Sequence, residues 1–99
     1  MTKILDFKTV SPLFEMERDG IKPFTTRLID GKDARFRALS QWKPEYNWAI
    51  RITCPSTGAS FIRRIETVSS ILYWYKNEGI QGLANYNWLI ILMGELIQI

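Results

Sequence analysis

The chain has 99 residues, 46% hydrophobic and 23% charged, which is the balance of one globular domain over residues 1–99. It has no histidine and one cysteine, which excludes a Ser-His-Asp or Cys-His site and an internal disulfide. We therefore expect no metal and no cofactor. The net charge of +3 is uneven, because Arg18 to Arg64 holds ten basic and four acidic residues. That surplus favours an anionic partner, the alternative being an ordinary mixed surface.

The N-terminal segment and the apolar runs predict a cytoplasmic location without a membrane partner. Met1–Val10 alternates charged and apolar residues and lacks the continuous apolar core of a signal peptide. The longest apolar run, Trp88–Met93, is far too short to span a bilayer. One thiol without a disulfide framework is typical of a reducing compartment.

The first half of the chain predicts two strands that alternate with two short helices. Alternating, β-branched and aromatic residues indicate the strands. Ser11-Pro12 supplies an N-cap and a first-turn proline for the first helix, and Gly20 ends that helix. The predicted elements are a strand over Lys3–Val10, a helix from Ser11 to Gly20, a strand over Phe24–Ile29 and a helix over Asp33–Trp42.

The second half predicts further strands. Trp48–Cys54 is the clearest, because apolar and polar residues alternate along it. A turn at Pro55–Gly58 joins it to the next strand in a hairpin. The later elements are strands over Ala59–Val68, Ile71–Tyr75 and Trp88–Ile99, with a loop before the last strand and a bulge at Gly94. About six strands and one or two short helices predict a mainly β, α+β fold, and a small closed barrel is favoured because it leaves no edges.

The stretch from Gly20 to Arg27 carries a resemblance to a known family. A short helix ends in Gly20-Ile21-Lys22, a strand with Thr25 and Arg27 follows, and Asn77-Glu78-Gly79-Ile80 comes later. This order resembles the ASCH domain, a small β-barrel family related to PUA domains. The resemblance spans most of the chain and implies a PUA/ASCH-like barrel.

Residues of this stretch also predict a ligand cleft on physical grounds. Thr25 and Arg27 lie on one face of an extended strand, together with Lys22 from the preceding turn. The opposite face, which we expect to enter the core, consists of Phe24, Thr26 and Leu28. A lysine, a hydroxyl and a guanidinium group suit a phosphate, a carboxylate or a nucleobase edge. We therefore predict a binding module for RNA, a nucleoside or another anionic ligand, the alternative being ordinary turn and strand residues.

One branch of the ASCH family consists of amidohydrolases that remove the acetyl group from acetylated cytidine. The resemblance to that branch implies Thr25 as the nucleophile, Lys22 as its activating base and Glu78 as a proton relay. Arg27 would hold the substrate. A small amidohydrolase is therefore the alternative to a binding module.

Two further sets of residues indicate other partners, namely RNA and another protein. Arg63 and Arg64 extend the basic half of the chain, and Trp42 and Tyr46 offer rings for stacking bases, as single-stranded RNA requires. The rings of Tyr73-Trp74-Tyr75 occupy both faces of a predicted strand and favour protein association. A phage or mobile-element protein that binds and modulates another protein is the third alternative, and the chain is expected as a monomer or a homodimer.

Overall fold

The computed structural model describes residues 3–70 and 88–98. They form a mainly β structure with two short helices, which confirms the predicted class. The elements are β1 (Ile4–Lys8), α1 (Leu13–Arg18), β2 (Phe24–Leu28), α2 (Ala34–Leu39), β3 (Ala49–Thr53), β4 (Ser60–Ser70) and β5 (Trp88–Leu96). The strand predicted over Ile71–Tyr75 and the loop after it lie outside the described residues, so the count of six strands stays a prediction.

The strands form one curled half-barrel sheet in the order β1-β3-β4-β5-β2. β1 pairs with β3 in parallel, and the other neighbouring strands are antiparallel. Ile52 pairs with Phe61 across the β3–β4 turn, which confirms the predicted hairpin. β1 and β2 are therefore the two edges of this sheet.

The start of α1 differs from the prediction. Ser11 was expected to cap the helix, but α1 begins at Leu13 and Pro12 occupies the capping position without a side-chain hydrogen bond. The Ser11 hydroxyl instead donates to a carboxylate oxygen of Glu15 at 2.5 Å. Both helices have only six residues, and they depend on packing because so short a helix is unstable alone.

The core follows the alternation of the strands. Ile50 and Ile52 on β3 are fully buried, while Arg51 between them turns outward and pairs with Asp6 at 3.1 Å. Each helix contributes a large buried residue, Phe14 from α1 and Leu39 from α2. The helices are thereby fixed to the sheet.

Gly94 lies where the pairing of β4 with β5 shifts register. Arg63 pairs with Leu96, whereas Ile65 pairs with Met93, so β5 has an extra residue between these pairs. This confirms the bulge predicted at Gly94. A Cβ atom at this position would lie 2.8 Å from Cγ of Glu66, so a larger residue needs Glu66 to move.

We expect Gly94→Ala to lower the free energy of unfolding by about 1 kcal/mol or more, because the added methyl group overpacks against Glu66. In a Glu66→Ala background this loss should shrink. Chemical denaturation of the wild type, the two single variants and the double variant measures the difference. Gly31→Ala is the matched control, since a Cβ atom there meets nothing within 4 Å. An equal loss in both backgrounds would contradict the proposed contact.

Candidate functional site

Arg27 connects the two edge strands of the sheet. From β2 it donates through Nη1 to the carbonyl oxygen of Lys8 on β1 at 2.5 Å, and through Nη2 to Oγ1 of Thr9 at 2.5 Å. Its Nε donates to Oγ1 of Thr25 at 3.1 Å. One side chain therefore links two strands that are not hydrogen-bonded neighbours in the described sheet.

The guanidinium group of Arg27 is half-buried and has no ion-pair partner among residues 3–70 and 88–98. Burial lowers the pKa of Arg27, the charge of Glu17 opposes this shift, and the charge of Arg35 adds to it. The guanidinium carbon also lies 5.0 Å from the ring centre of Phe7. The gap between the edge strands thus holds a positive charge that no described carboxylate pairs with directly.

Two clefts flank Arg27 and share Lys8 as a second lining residue. The larger cleft has a volume of about 750 Å³ and is balanced in charge, with three basic and three acidic side chains. The smaller cleft has a volume of about 270 Å³ and has three basic side chains and one carboxylate. The charged residues of the smaller cleft are Lys8, Glu17, Lys22 and Arg27. The smaller cleft is therefore the better site for an anion.

Lys22, Thr25 and Arg27 all line the smaller cleft. The structure thus brings together the residues that the sequence placed in a ligand cleft. Gly20 has a φ of +79°, a conformation that glycine adopts without strain, and the chain reverses there after α1. The backbone N–H of Lys22 then donates to the carbonyl oxygen of Met16 at 3.0 Å, which fixes the turn against the helix.

The inward face of β2 is the opposite of the one predicted. Thr25 is 1% exposed, whereas Phe24 and Leu28 are 38% and 59% exposed, so the prediction that the Phe24 face enters the core is wrong. Thr25 pairs with the fully buried Ile91 of β5, and residues opposite each other on neighbouring strands share a face. The buried face of β5 therefore continues through Thr25 into the smaller cleft.

Glu17 is a cleft residue that the sequence did not identify. Its side chain is 1% exposed, and Oε2 accepts a hydrogen bond from Nζ of Lys22 at 3.0 Å. Oε1 is also buried and has no hydrogen-bond partner among the described residues. Its spacing of three residues from Phe14 is the sequence feature that could have indicated its burial, because residues three apart in a helix share a face.

Arg63 and Arg64 lie on β4 and line neither of these clefts. Arg63 donates through Nη1 to the carbonyl oxygen of Gly94 at 2.7 Å and through Nη2 to that of Arg18 at 2.8 Å. It therefore joins the β5 bulge to the end of α1. Arg64 is half-buried, and its Nε has no hydrogen-bond partner in the described part of the chain.

The rings predicted to stack on bases also lie away from both clefts. Trp42 packs against the core, and its indole Nε1 is buried. Tyr46 stacks on Trp48 with 5.3 Å between ring centres. Glu78 lies outside the described residues, so its role as a proton relay stays a prediction.

Cys54 is a core residue, as its place on the apolar face of the strand predicted over Trp48–Cys54 indicated. Hydrogen bonds with the hydroxyl group of Ser56, and to a smaller extent with that of Thr57, lower the pKa of the thiol to about 6. The side chain is nevertheless 1% exposed, so the thiol is shielded from solutes.

The comparisons with known proteins give this chain no relative. No known protein family, curated protein or solved structure matches it. Within the described ranges, no three His, Cys, Asp or Glu side chains are grouped to hold a metal ion. No helix in those ranges has the length and apolar character needed to cross a membrane. The resemblance to the ASCH domain therefore rests on the sequence motifs alone.

We expect Lys22→Met to lower the free energy of unfolding by about 3 kcal/mol, because the buried carboxylate of Glu17 loses its partner. Adding Glu17→Gln should restore much of this loss, since the uncompensated charge is then removed. Urea denaturation of the wild type, both single variants and the double variant measures the coupling. Arg18→Met breaks the exposed pair with Asp19 and should change stability little. A loss in Lys22→Met as small as in this control would contradict the importance of the buried pair.

Asp33 gives the fold a defined dependence on pH. Hydrogen bonds from the side chain of Arg35, and then from its backbone N–H, lower the pKa of Asp33. A carboxylate with a lowered pKa stabilises the fold above its unfolded value of about 3.9, and this stabilisation is lost as the pH falls through the lowered pKa. Wild type should therefore be more stable than Asp33→Asn near neutral pH, and the difference should disappear in strong acid.

Thermal unfolding of the wild type and of Asp33→Asn, from neutral pH to strong acid, measures the difference in stability. Asparagine is as good a helix cap as aspartate, so the comparison isolates the charge of Asp33. Asp30→Asn is the control for a carboxylate outside the described ion pairs. A difference that stays constant with pH would rule out this role of Asp33.

Proposed function

We propose that this protein is a small ligand-binding module whose smaller cleft holds a compact anionic ligand beside Lys22, Thr25 and Arg27. One observation carries the proposal. The lining has three basic side chains and a single carboxylate, and the guanidinium group of Arg27 has no ion-pair partner in the described part of the chain. A bound phosphate or carboxylate supplies the missing negative charge.

The size and chemistry of the smaller cleft suit a small charged group. Its volume of about 270 Å³ is close to the lower limit of known ligand pockets. Lys8 lines the cleft and is an exposed residue. The hydroxyl of Thr25 accepts from Arg27 and keeps its own proton to donate to a ligand oxygen.

A compact anion is favoured over a nucleic acid strand. Proteins bind single strands with rings on which successive bases stack. Trp42 and Tyr46 lie elsewhere, and Phe7 in the larger cleft is buried. Binding is also favoured over amide hydrolysis, because Nζ of Lys22 donates to Glu17 and not to the hydroxyl of Thr25 that it would have to activate.

Nuclear magnetic resonance titrations of the isotope-labelled chain test this proposal. The probes are inorganic phosphate, cytidine 5′-monophosphate and a single-stranded RNA of about twelve nucleotides, each added at low salt. We expect the two small anions to shift the amide signals of Thr9, Lys22 and Thr25, and sodium chloride to weaken their binding. Lys8→Gln should weaken phosphate binding by about threefold to tenfold, because a cation of the cleft is removed.

Lys43→Gln is the matched control, since it removes the same charge outside both clefts. Absence of phosphate and nucleotide binding at low salt would overturn the proposal. Equal weakening by Lys8→Gln and Lys43→Gln would assign the binding to the overall charge and would also overturn it. RNA binding without binding of either small anion would favour the nucleic-acid alternative instead.

A further inference from the structure

Glu17 leaves a hydrogen-bond acceptor unused inside the smaller cleft. Its side chain is 1% exposed, and Oε2 is occupied by Lys22 at 3.0 Å. Oε1 is buried without a partner among the described residues. Glu17 itself lines the cleft, so a molecule bound there lies against this residue.

An unused acceptor of this kind is energetically unfavourable. A buried polar group without a hydrogen bond costs about 1 to 3 kcal/mol, and a charged group costs more. Buried polar groups in folded proteins almost always have partners, so an exception at a binding cleft points to a partner that the ligand supplies. The ligand must then present an N–H or O–H group to Oε1.

The charges around Glu17 decide between a neutral donor and a cationic one. Nζ of Lys22 already binds the same carboxylate, and Arg27 lines the same cleft. An ammonium group placed on Oε1 would lie close to these cations and be repelled by them. A neutral N–H or O–H group satisfies the acceptor without adding a positive charge.

We infer that the ligand carries a neutral N–H or O–H donor besides its anionic group, and that Glu17 selects for this donor. Hydroxy acids, sugar phosphates and nucleotides belong to this chemical class, whereas anions without such a donor do not. The inference rests on the proposed function, because the same cleft must first bind an anion.

Carboxylates that differ in one donor test the selection by Glu17. Glycolate is compared with methoxyacetate, which has the same charge but no O–H donor. A second pair, 3-hydroxypropionate and its methyl ether, tests a longer spacing between the carboxylate and the donor. Glycine replaces the hydroxyl by an ammonium group. We expect at least one hydroxy acid to bind about tenfold more tightly than its ether, and glycolate to bind more tightly than glycine.

Variants separate hydrogen bonding from the larger size of the ethers. In Glu17→Gln the amide both donates and accepts, so the preference for the hydroxy acid should fall to about twofold or less. Glu15→Gln is the matched control on the same helix, lines neither cleft and should keep the full preference. Amide spectra of each variant establish that the fold is retained.

The outcomes distinguish this inference from the proposed function. Equal affinity for the hydroxy acids and their ethers in the wild type would overturn the inference and leave the anion site standing. Phosphate binding without binding of any hydroxy acid, or tighter binding of glycine than of glycolate, would also overturn it. A preference that persists in Glu17→Gln would assign the selection to shape, against this role of Glu17. Failure of phosphate and all carboxylates to bind would overturn the proposed function itself.

Discussion

The guanidinium group of Arg27 links the two edge strands of the described sheet. Exposed edges carry unpaired backbone groups, and most barrels cover them by pairing the first and last strands. Here β1 and β2 are joined by a side chain that reaches the carbonyl oxygen of Lys8 and the hydroxyl of Thr9. A side chain spans a wider gap than a backbone ladder does, and the two clefts lie beside this gap.

The hydrogen bonds of Arg27 also explain why the smaller cleft is positively charged. A half-buried charge needs polar partners, and Arg27 finds a carbonyl and two hydroxyl groups in place of a carboxylate. Neutral acceptors hold the guanidinium group without cancelling its charge. The charge of Glu17 is paired with that of Lys22, so the cleft keeps the positive charge of Arg27. Joining the edge strands and placing a positive charge in the cleft are two effects of one residue.

Local patterns in the sequence predicted the parts of the fold that local contacts determine. The alternation around Ile50 and Ile52 predicted β3 and its buried face, and Gly94 marked the bulge. The spacing of Lys22, Thr25 and Arg27 predicted that they lie together, and all three line the smaller cleft, because a turn and a short strand fix their relative positions.

Features that depend on distant contacts were not predictable in this way. The inward face of β2 is set by its pairing with β5, which no pattern within the strand reveals. The carbonyl oxygens bound by Arg63 belong to residues 31 and 45 positions away, so its structural role had no local sign. Burial of Glu17 depends likewise on how α1 packs against the cleft.

The pairing of Thr25 with Ile91 also bears on how the chain acquires its cleft. In the described sheet β2 has β5 as its single neighbour, although most of the chain separates the two strands. Closing so long a loop is entropically costly and slow compared with forming the β3–β4 hairpin. The cleft therefore belongs to the completed sheet, and a fragment that stops before β5 retains Lys22, Thr25 and Arg27 without the strand that aligns them.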